Sequence, residues 1–227
     1  LTLKELADQK MPVDASVEII IVDNNSPDNT AAVVAPFLNH PHIRFSYVFE
    51  GQQGLSFARN SGVFKASGEY ILFTDDDAAI PSDWIAEYIH QINRHTPDCI
   101  YSKIDIIWDK PQPWWFVPEF TPCFVGLNYG DCTIIVEDNR KEFYGKNFCI
   151  RKQLLLELGG FDPALGRKGT SLAAGEETLL YRKLIDQKKK VVYFPSAKVG
   201  HRLKPREYHP ENIKKLYIDG AYSTYHI

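Results

Sequence analysis

The sequence predicts an α/β fold built on a parallel sheet, and three observations favour this class. Apolar runs of strand length alternate with segments of helical spacing through the first third of the chain. The run "VEIIIVD" is almost continuously apolar and β-branched, as in strands that are buried on both faces. Two of the runs lead into aspartate, at Asp23 and at Asp75. Strands that alternate with helices are typical of parallel sheets with crossover connections.

The elements of the first third follow one another with short polar breaks. Leu3, Leu6 and Ala7 have the spacing of one helix face. Pro36 must break or shorten the second helix, because proline has no amide hydrogen to donate inside a helix. In order, we expect a helix in "LTLKELADQK", a strand in "VEIIIVD", a helix in "TAAVVAPFLNH", a strand in "IRFSYVFE", a helix in "GLSFARNSGVFKAS" closed by Gly68, and a strand in "YILFT".

The later part of the chain contains one long loop. The segment "DKPQPWWFVPEFTP" is too rich in proline for a central strand, so we expect an ordered loop that carries Trp114 and Trp115 and borders the site. The helix in "GEETLLYRKLIDQKKK" begins with acids and ends with lysines, which matches the helix dipole. The other predicted elements are strands in "CIYSKIDIIW" and "KNFCIR", a helix in "KQLLLELGGF", and a strand in "KVVYFPSAKVGHR" followed by an extended piece ending at His201.

Composition excludes several classes of protein. The formal net charge of -3 gives no nucleic-acid-binding footprint. The four cysteines form no CxxC pair, so we expect free, mostly buried thiols in a reducing, cytoplasmic compartment. No apolar run reaches the roughly 18 residues that a membrane span needs. Because "LTLKELADQKMP" lacks an initiator methionine, we expect a fragment, and membrane association could come only through segments outside it.

Three consecutive aspartates, Asp75, Asp76 and Asp77, follow the apolar strand "YILFT". They are either a solvated turn or a cation site, because adjacent like charges repel one another. Parallel strands would bring Asp23 and Asp75 to the same rim of the sheet, where ligands bind in open α/β folds. Carboxylates together with phosphate oxygens are hard ligands suited to Mg²⁺ or Mn²⁺. We favour the cation site for the triple, whereas for Asp23 alone a strand-capping role is an equally good explanation.

Five sequence blocks, in order and at familiar spacing, resemble a family 2 glycosyltransferase of the GT-A fold. The resemblance extends from Leu1 to about His201 and implies a Rossmann-like fold with a mostly parallel central sheet flanked by helices. It implies one domain, 1–227, with a nucleotide-sugar-binding part, 1–104, and an acceptor and catalytic part, 105–227. The blocks are "VEIIIVDNNSPDNT", "GLSFARNSGV", "GEYILFTDDDAAIPSDWI", "GKNFCIRKQLLLELGGFDPALG" and "GEETLLYRKL".

The family pattern also implies roles for individual residues. It assigns nucleotide-sugar binding to Asp23, Arg59, Asp75 and Asp76, metal binding to Asp75, Asp77 and His201, and catalysis to Glu176 and Glu177. Each has an ordinary structural alternative: Arg59 could be an ion-pair partner, and His201 could be a packing residue. The acid pair could simply complement the helix dipole, which is worth about 0.3–1 kcal/mol for each acid.

The two glutamates cannot play the same part, because successive helix residues point about 100° apart. We assign the catalytic base to Glu177, which occupies the second place of the family's acid pair. Glu176 would then orient the acceptor or a neighbouring loop. The pattern differs here from the family, which commonly has aspartate in that second place.

The resemblance, together with the acidic residues, implies a metal-dependent, inverting glycosyltransferase that uses Mn²⁺ or Mg²⁺. The donor would be a nucleotide-diphospho-sugar, and the acceptor a carbohydrate or lipid-linked hydroxyl. The alternative is a non-catalytic carbohydrate-binding or scaffolding domain that has kept the fold. A sugar-nucleotide pyrophosphorylase would need an early Gly-rich phosphate loop, which is not found. The sequence also differs from the family pattern at its start, where the family's first strand is missing. We therefore expect a gap in the sheet beside "VEIIIVD".

Overall fold

Strands and helices alternate through the first hundred residues, as predicted. The computed structural model describes residues 1–167 and 174–226. The second helix ends at Val34 and continues as a 3-10 turn, because Pro36 cannot donate the next helical hydrogen bond. The elements are α1 (Thr2–Ala7), β1 (Glu18–Asp23), α2 (Thr30–Val34), β2 (Arg44–Phe49), α3 (Leu55–Lys65), β3 (Tyr70–Phe73), β4 (Ala78–Ala79), α4 (Trp84–His95) and β5 (Cys99–Ile107).

The second half begins with the long loop, which contains a 3-10 segment over Pro118–Phe124. The last predicted strand runs to Arg202, because it pairs with β5 on both sides of an irregularity and also with β6 near its start and β4 near its end. The remaining elements are β6 (Ile134–Val136), β7 (Phe148–Arg151), α5 (Lys152–Glu157), α6 (Glu176–Asp186), β8 (Val191–Arg202) and α7 (Pro210–His226).

The strands form a mixed sheet arrangement. β1 pairs with β2 in parallel, and β5 pairs with β8 in parallel. A six-stranded sheet has the order β3-β7-β5-β8-β4, with β6 also paired to β8. β4, β6 and β7 pair antiparallel to their neighbours, which corrects the expectation of a mostly parallel sheet. The reason is connectivity: β6 and β7 follow the long loop after β5, and antiparallel neighbours need no helical crossover.

The main core lies around the centre of this sheet. The Phe148 ring stacks between those of Phe73 and Phe143, with centroid distances of 4.7 and 4.4 Å. The buried positions of β5, β7 and β8 contact them, and α4 and α6 contribute their apolar faces. A smaller cluster around Phe124 packs the long loop against Leu203 and α7. These cores fix the strand ends from which the polar residues of the site project.

A cavity of about 1600 Å³ runs between β1 and β3. Glu18, at the start of β1, accepts a hydrogen bond from the Ser67 amide at 2.6 Å, just before β3 begins. Asp23 and Asp75, at the other ends, line the same cavity. The two strands therefore run in the same direction. Within the described residues, β1 pairs only with β2 and β3 only with β7, so both strands have an unpaired edge.

The four cysteines are free thiols, as predicted. Cys99 and Cys149 are buried in the main core, whereas Cys132 is exposed. Burial raises the pKa of both core thiols, which therefore stay protonated. In the part of the chain that the structure describes, no helix has the length and apolar character to cross a membrane.

Candidate active site

The three aspartates occupy the turn between β3 and β4. The carbonyl oxygens of Asp76 and Ala78 each lie 2.7 Å from the Thr2 hydroxyl in α1. The Arg202 amide donates to the Asp77 carbonyl at 3.0 Å. The backbone of the turn is therefore held from α1 on one side and from β8 on the other. Asp75 and Asp77 point towards protein groups, while the side chain of Asp76 is 91% exposed.

The ammonium group of Lys146 explains how two acids can lie so close together. Its Nζ lies 3.1 Å from Asp75 Oδ2 and also contacts Asp77 Oδ1. Burial opposes ionisation of Asp75, but the charges of Lys146 and Arg59 outweigh it and lower the pKa of Asp75. Burial likewise opposes ionisation of Asp77, while the neighbouring His201 ring and Lys146 hold its pKa well below the usual range. Both carboxylates are ionised at neutral pH.

His201 lies on β8, opposite Ala78 of β4, and is 3% exposed. Its Nδ1 is 2.7 Å from the carbonyl oxygen of Phe124, which can only accept, so Nδ1 carries the proton. Nε2 is then the ring nitrogen that faces Asp77, and it lies 3.7 Å from Asp77 Oδ2. Histidines that bind metals usually donate their other N–H to such a carbonyl.

The donor chemistry of Asp75, Asp77 and His201 fits Mn²⁺ or Mg²⁺, because carboxylate oxygens are the protein ligands that these ions prefer. The space between the two carboxylates is taken by Lys146. Across residues 1–167 and 174–226, no three His, Cys, Asp or Glu side chains are grouped so that they could hold a metal as they stand. The metal-binding role of these residues therefore stays a prediction.

Arg59 joins the aspartates to the acid pair of α6. Its Nη1 lies 2.8 Å from Glu176 Oε1 and 2.9 Å from Glu177 Oε1. The guanidinium also packs 5.3 Å from the centroid of the Phe161 ring, and its side chain is only 8% exposed. Arg59, for which we predict a contact with the nucleotide, is thus a buried ion-pair partner. It also lines the cavity. Its contact with a nucleotide remains a prediction.

The two glutamates have opposite protonation tendencies. Burial and the charge of Glu177 raise the pKa of Glu176, whose Oε2 is buried without a hydrogen-bond partner among the described residues. Burial also opposes ionisation of Glu177, but Arg59 outweighs it and lowers the pKa of that carboxyl. A shared proton therefore resides on Glu176, and Glu177 is the ionised member of the pair. The side chain of Glu177 is also the more exposed, 16% against 1%.

Gly145 allows Arg59 and Glu177 to meet. Its amide donates to Glu177 Oε1 at 3.2 Å. A Cβ atom at this position would lie 1.8 Å from Arg59 Nη2 and 2.4 Å from Glu177 Oε1. Only glycine fits without moving the ion pair.

Gly145→Ala is expected to lower the free energy of unfolding by about 1–3 kcal/mol, the usual cost of overpacking a rigid site. It should also displace the Glu177 carboxylate. Urea unfolding of the variant measures the loss. Gly51→Ala is the matched control, because its added Cβ would make only an ordinary 3.6 Å contact with Phe49. Equal stability of the two variants would contradict the assigned clash.

Asp23 lies at the end of β1 with both carboxylate oxygens hydrogen-bonded. The Tyr47 hydroxyl donates to Oδ2 at 2.6 Å, and the Ser26 amide donates to Oδ1 at 2.9 Å. Burial would raise the pKa of Asp23, but these hydrogen bonds lower it. The carboxylate lines the cavity and organises the turn after β1. Its nucleotide-sugar-binding role stays a prediction.

Tyr47→Phe is expected to destabilise the protein at neutral pH, because ionised Asp23 loses a donor. A group with a lowered folded pKa contributes stability above its unfolded pKa, and that contribution is lost as pH falls. The difference from wild type should therefore shrink as pH falls below about 3.9. Thermal unfolding from pH 7 to pH 3 measures it. Tyr70→Phe removes a bond to the neutral Pro97 carbonyl and should show no such pH dependence.

The long loop carries its two tryptophans in different environments. Trp114 is 95% exposed. Trp115 stacks on Phe124 with ring centroids 6.2 Å apart, and the Phe124 carbonyl in turn holds His201. The loop therefore supports His201 through the contact between Trp115 and Phe124. Neither tryptophan lines the cavity between β1 and β3.

Comparison with known proteins identifies the family. The family model described as Glycosyl transferase family 2 matches residues 2–159, which is more than half of the chain. The chain belongs to glycosyltransferase family 2. The resemblance carried by the five sequence blocks is thus confirmed.

This family 2 glycosyltransferase has curated relatives of several kinds. It is 29% identical over 154 residues to the glucosyl-dolichyl phosphate glucuronosyltransferase of Haloferax volcanii, covering 66% of this chain and 48% of that protein. It is 27% identical over 126 residues to the poly(ribitol-phosphate) beta-N-acetylglucosaminyltransferase TarS of Staphylococcus aureus, covering 56% of this chain and 22% of TarS. The chain thus spans less than half the length of each of these relatives.

Solved structures share the fold of this family 2 glycosyltransferase. TarS residues 1–349 in complex with UDP align with a TM-score of 0.65 at 19% identity, over 96% of this chain and 60% of that one. The mannosyltransferase PcManGT of Pyrobaculum calidifontis, in complex with GDP-Man and Mn²⁺, aligns with a TM-score of 0.64 at 20% identity, over 95% and 58%. The predicted GT-A fold is confirmed.

The structure brings together most of the predicted site residues and adds others. Asp75, Asp77 and His201 form one end, and Arg59 connects that end to the acid pair. Asp23 and Asp76 lie on the cavity rim away from these contacts. Three further residues were missed: Gly145, Lys146 and Lys204, whose Nζ lies 3.0 Å from Asp77 Oδ2. The available signal was the "GKN" at the start of one of the five sequence blocks, where a lysine stands two residues before a buried strand.

Proposed function

We propose that this chain transfers a sugar from a nucleotide-diphosphate donor to an acceptor hydroxyl, with inversion at the anomeric carbon. The observation that carries the proposal is one continuous series of charges. It begins at Asp77, passes through Lys146, Asp75 and Arg59, and ends at Glu177. One end has the groups that a diphosphate site needs, and the other end has an ionised carboxylate.

The diphosphate would lie at the acidic turn, where Lys204 also faces the cavity. The pKa of Lys204 is raised: burial opposes this, but Asp77 and Asp76 outweigh it, so the ammonium stays charged. A divalent cation held by Asp75, Asp77 and His201 would stabilise the departing diphosphate as a Lewis acid. Asp76 and Asp23 would contact the nucleotide part of the donor from the rim.

An inverting transfer needs a base on the face opposite the leaving group. Glu177 takes the proton of the acceptor hydroxyl as that oxygen attacks the anomeric carbon, and the bond to the diphosphate breaks. The lowered pKa supports this role because it keeps the carboxylate ionised. Glu176, with its raised pKa, holds Arg59 and the acceptor side in place.

The acceptor we propose is a carbohydrate or a lipid-linked sugar. The name of the Haloferax volcanii relative, a glucosyl-dolichyl phosphate glucuronosyltransferase, supports the lipid-linked choice. The name of TarS, which acts on poly(ribitol-phosphate), supports a polymer acceptor. The free thiols of the chain support action in a reducing compartment such as the cytoplasm.

We also propose that the space between β1 and β3 takes one more strand, parallel to both, supplied from outside residues 1–227. Its support is the pair of unpaired edges and the apolar lining from Ile19, Ile21 and Leu72. Amide hydrogen exchange tests it. The β1 amides should exchange slowly in the natural protein and fast in the 227-residue chain, and equal rates would contradict the extra strand.

The function is tested by incubating the protein with UDP- and GDP-sugars and Mn²⁺. We expect transfer to an added sugar acceptor, or slow hydrolysis of the donor, together with release of the nucleoside diphosphate. Binding that is detected by a rise in Tm without transfer or hydrolysis would instead support the non-catalytic carbohydrate-binding or scaffolding alternative.

A further inference from the structure

Lys146 is an almost fully buried lysine whose ammonium group lies between two carboxylates. Its side chain is 2% exposed. Nζ lies 3.1 Å from Asp75 Oδ2 and contacts Asp77 Oδ1. A buried lysine needs such partners, because an unpaired ammonium in the interior is strongly unfavourable. The lysine therefore has a fixed position beneath the acidic turn.

The backbone on both sides of Lys146 is also fixed. Gly145 is confined by Arg59 and Glu177. The Asn147 amide group donates to the carbonyls of Lys103 and Ala197 at 2.8 and 2.9 Å, and its Oδ1 accepts from Trp84 Nε1 at 2.9 Å. The backbone from which the Lys146 side chain extends is therefore held on both sides.

The direction of approach distinguishes Lys146 from the other lysine of the cluster. Lys204 reaches Asp77 from the solvent side, with a side chain that is 44% exposed. Lys146 reaches the same carboxylate from the interior. Asp75 and Asp77 thus line the cavity, while Lys146 brings one positive charge to both carboxylates from the interior side.

This charge acts in opposite directions on cations and anions. It reduces the attraction of the aspartates for a second cation, because like charges repel at short range in a poorly solvated site. It strengthens the attraction for the negatively charged diphosphate for the same reason. The site should therefore bind a nucleoside diphosphate without full dependence on a divalent metal.

We propose that Lys146 is a resident cation of the donor site, which supplies part of the positive charge that a divalent metal would otherwise provide for the nucleoside diphosphate. This inference rests on the proposed function, since it assumes that the acidic turn receives the donor diphosphate. Lys146 would then reduce the dependence of nucleotide binding on a divalent metal. It also means that the metal, when present, is held more weakly than by the acids alone.

Isothermal titration of the full chain with UDP and with GDP, in EDTA and in Mn²⁺, tests this. For whichever nucleotide binds, wild type should show affinities within about tenfold of each other in the two conditions, a difference of about 1.4 kcal/mol or less. In Lys146→Met, the affinity in EDTA should fall by at least about tenfold, as for loss of a buried charged partner. Mn²⁺ binding to the free variant, followed by electron paramagnetic resonance, should become tighter than in wild type.

The control is Lys103→Met, which removes an ammonium 2.6 Å from Asp131, outside the series of charges that carries the proposed site. It should leave both nucleotide and Mn²⁺ affinities unchanged. A merely structural lysine would lower Tm without changing the ratio of affinities in EDTA and Mn²⁺. If Lys146→Met does not fold, the ratio of the wild-type nucleotide affinities in EDTA and in Mn²⁺ still tests the inference.

Wild type that binds nucleotide only with Mn²⁺ would overturn the inference and leave the proposed function standing. The same holds if the folded Lys146→Met variant keeps the wild-type ratio and the wild-type Mn²⁺ affinity. Absence of binding by either nucleotide in both conditions would remove the proposed function and the inference with it.

Discussion

Glu177→Gln is expected to lower kcat by about 10²–10⁴-fold, the usual contribution of a general base. Nucleotide affinity should remain close to wild type, because Glu177 lies at the far end of the charge series from the acidic turn. The amide still accepts the hydrogen bond from Gly145, so the helix start should keep its geometry. Initial rates and nucleotide titration of the same preparation separate the two effects.

Glu176→Gln is the matched control for this prediction. The raised pKa means that Glu176 already carries a proton, so glutamine reproduces its charge and its shape. The loss of kcat should therefore be much smaller than for Glu177→Gln. If the control alone loses transfer while Glu177→Gln is active, the two roles are reversed.

The pH dependence of kcat/KM independently tests the assignment of Glu177 as the base. The base must be ionised, and the pKa of Glu177 is lowered. The acidic limb of kcat/KM should therefore lie below the ordinary glutamate pKa of about 4.3. An acidic limb near pH 6 to 8 would instead identify the carboxyl with the raised pKa, Glu176, as the base.

Arg59→Met is expected to lower the free energy of unfolding by about 3–5 kcal/mol, as when one partner of a buried ion pair is removed. Glu177 and Asp75 would lose the positive charge that lowers their pKa values. The added apolar side chain cannot compensate for two ionised carboxylates in a poorly solvated site. Urea unfolding at pH 7 measures the loss.

Arg44→Met is the matched control, because Arg44 also pairs with a glutamate, Glu18, at 2.7 Å, but its side chain is 65% exposed. Exposed pairs contribute about 0–1 kcal/mol, so this variant should unfold near wild type. The difference between the two variants should shrink as pH falls through the carboxylate range. Groups with lowered folded pKa values contribute stability at high pH and lose it on protonation. Equal losses would contradict the prediction, because the buried pairs of Arg59 would then contribute no more than the exposed pair of Arg44.

Local sequence patterns determined most of the secondary structure and half of the site. The β-branched run of β1 and the apolar run of β3 predict strands from neighbouring residues alone, although both strands are mostly half-buried beside the cavity. The acids at the end of β3 and at the start of α6 were visible because like charges and the helix dipole act between neighbours in sequence. The order of the five blocks then indicated the family, and the family model confirmed it.

The partners of those acids were decided only by the tertiary structure. Lys146 and Asp77 are 69 residues apart, and Arg59 and Glu176 are 117 residues apart, so no local pattern records either contact. The same holds for the antiparallel course of β7, which depends on where the long loop delivers the chain. Charge in the sequence says that a partner is needed, since buried like charges repel. Which group supplies it depends on which strand ends the fold brings within a few ångströms of each other.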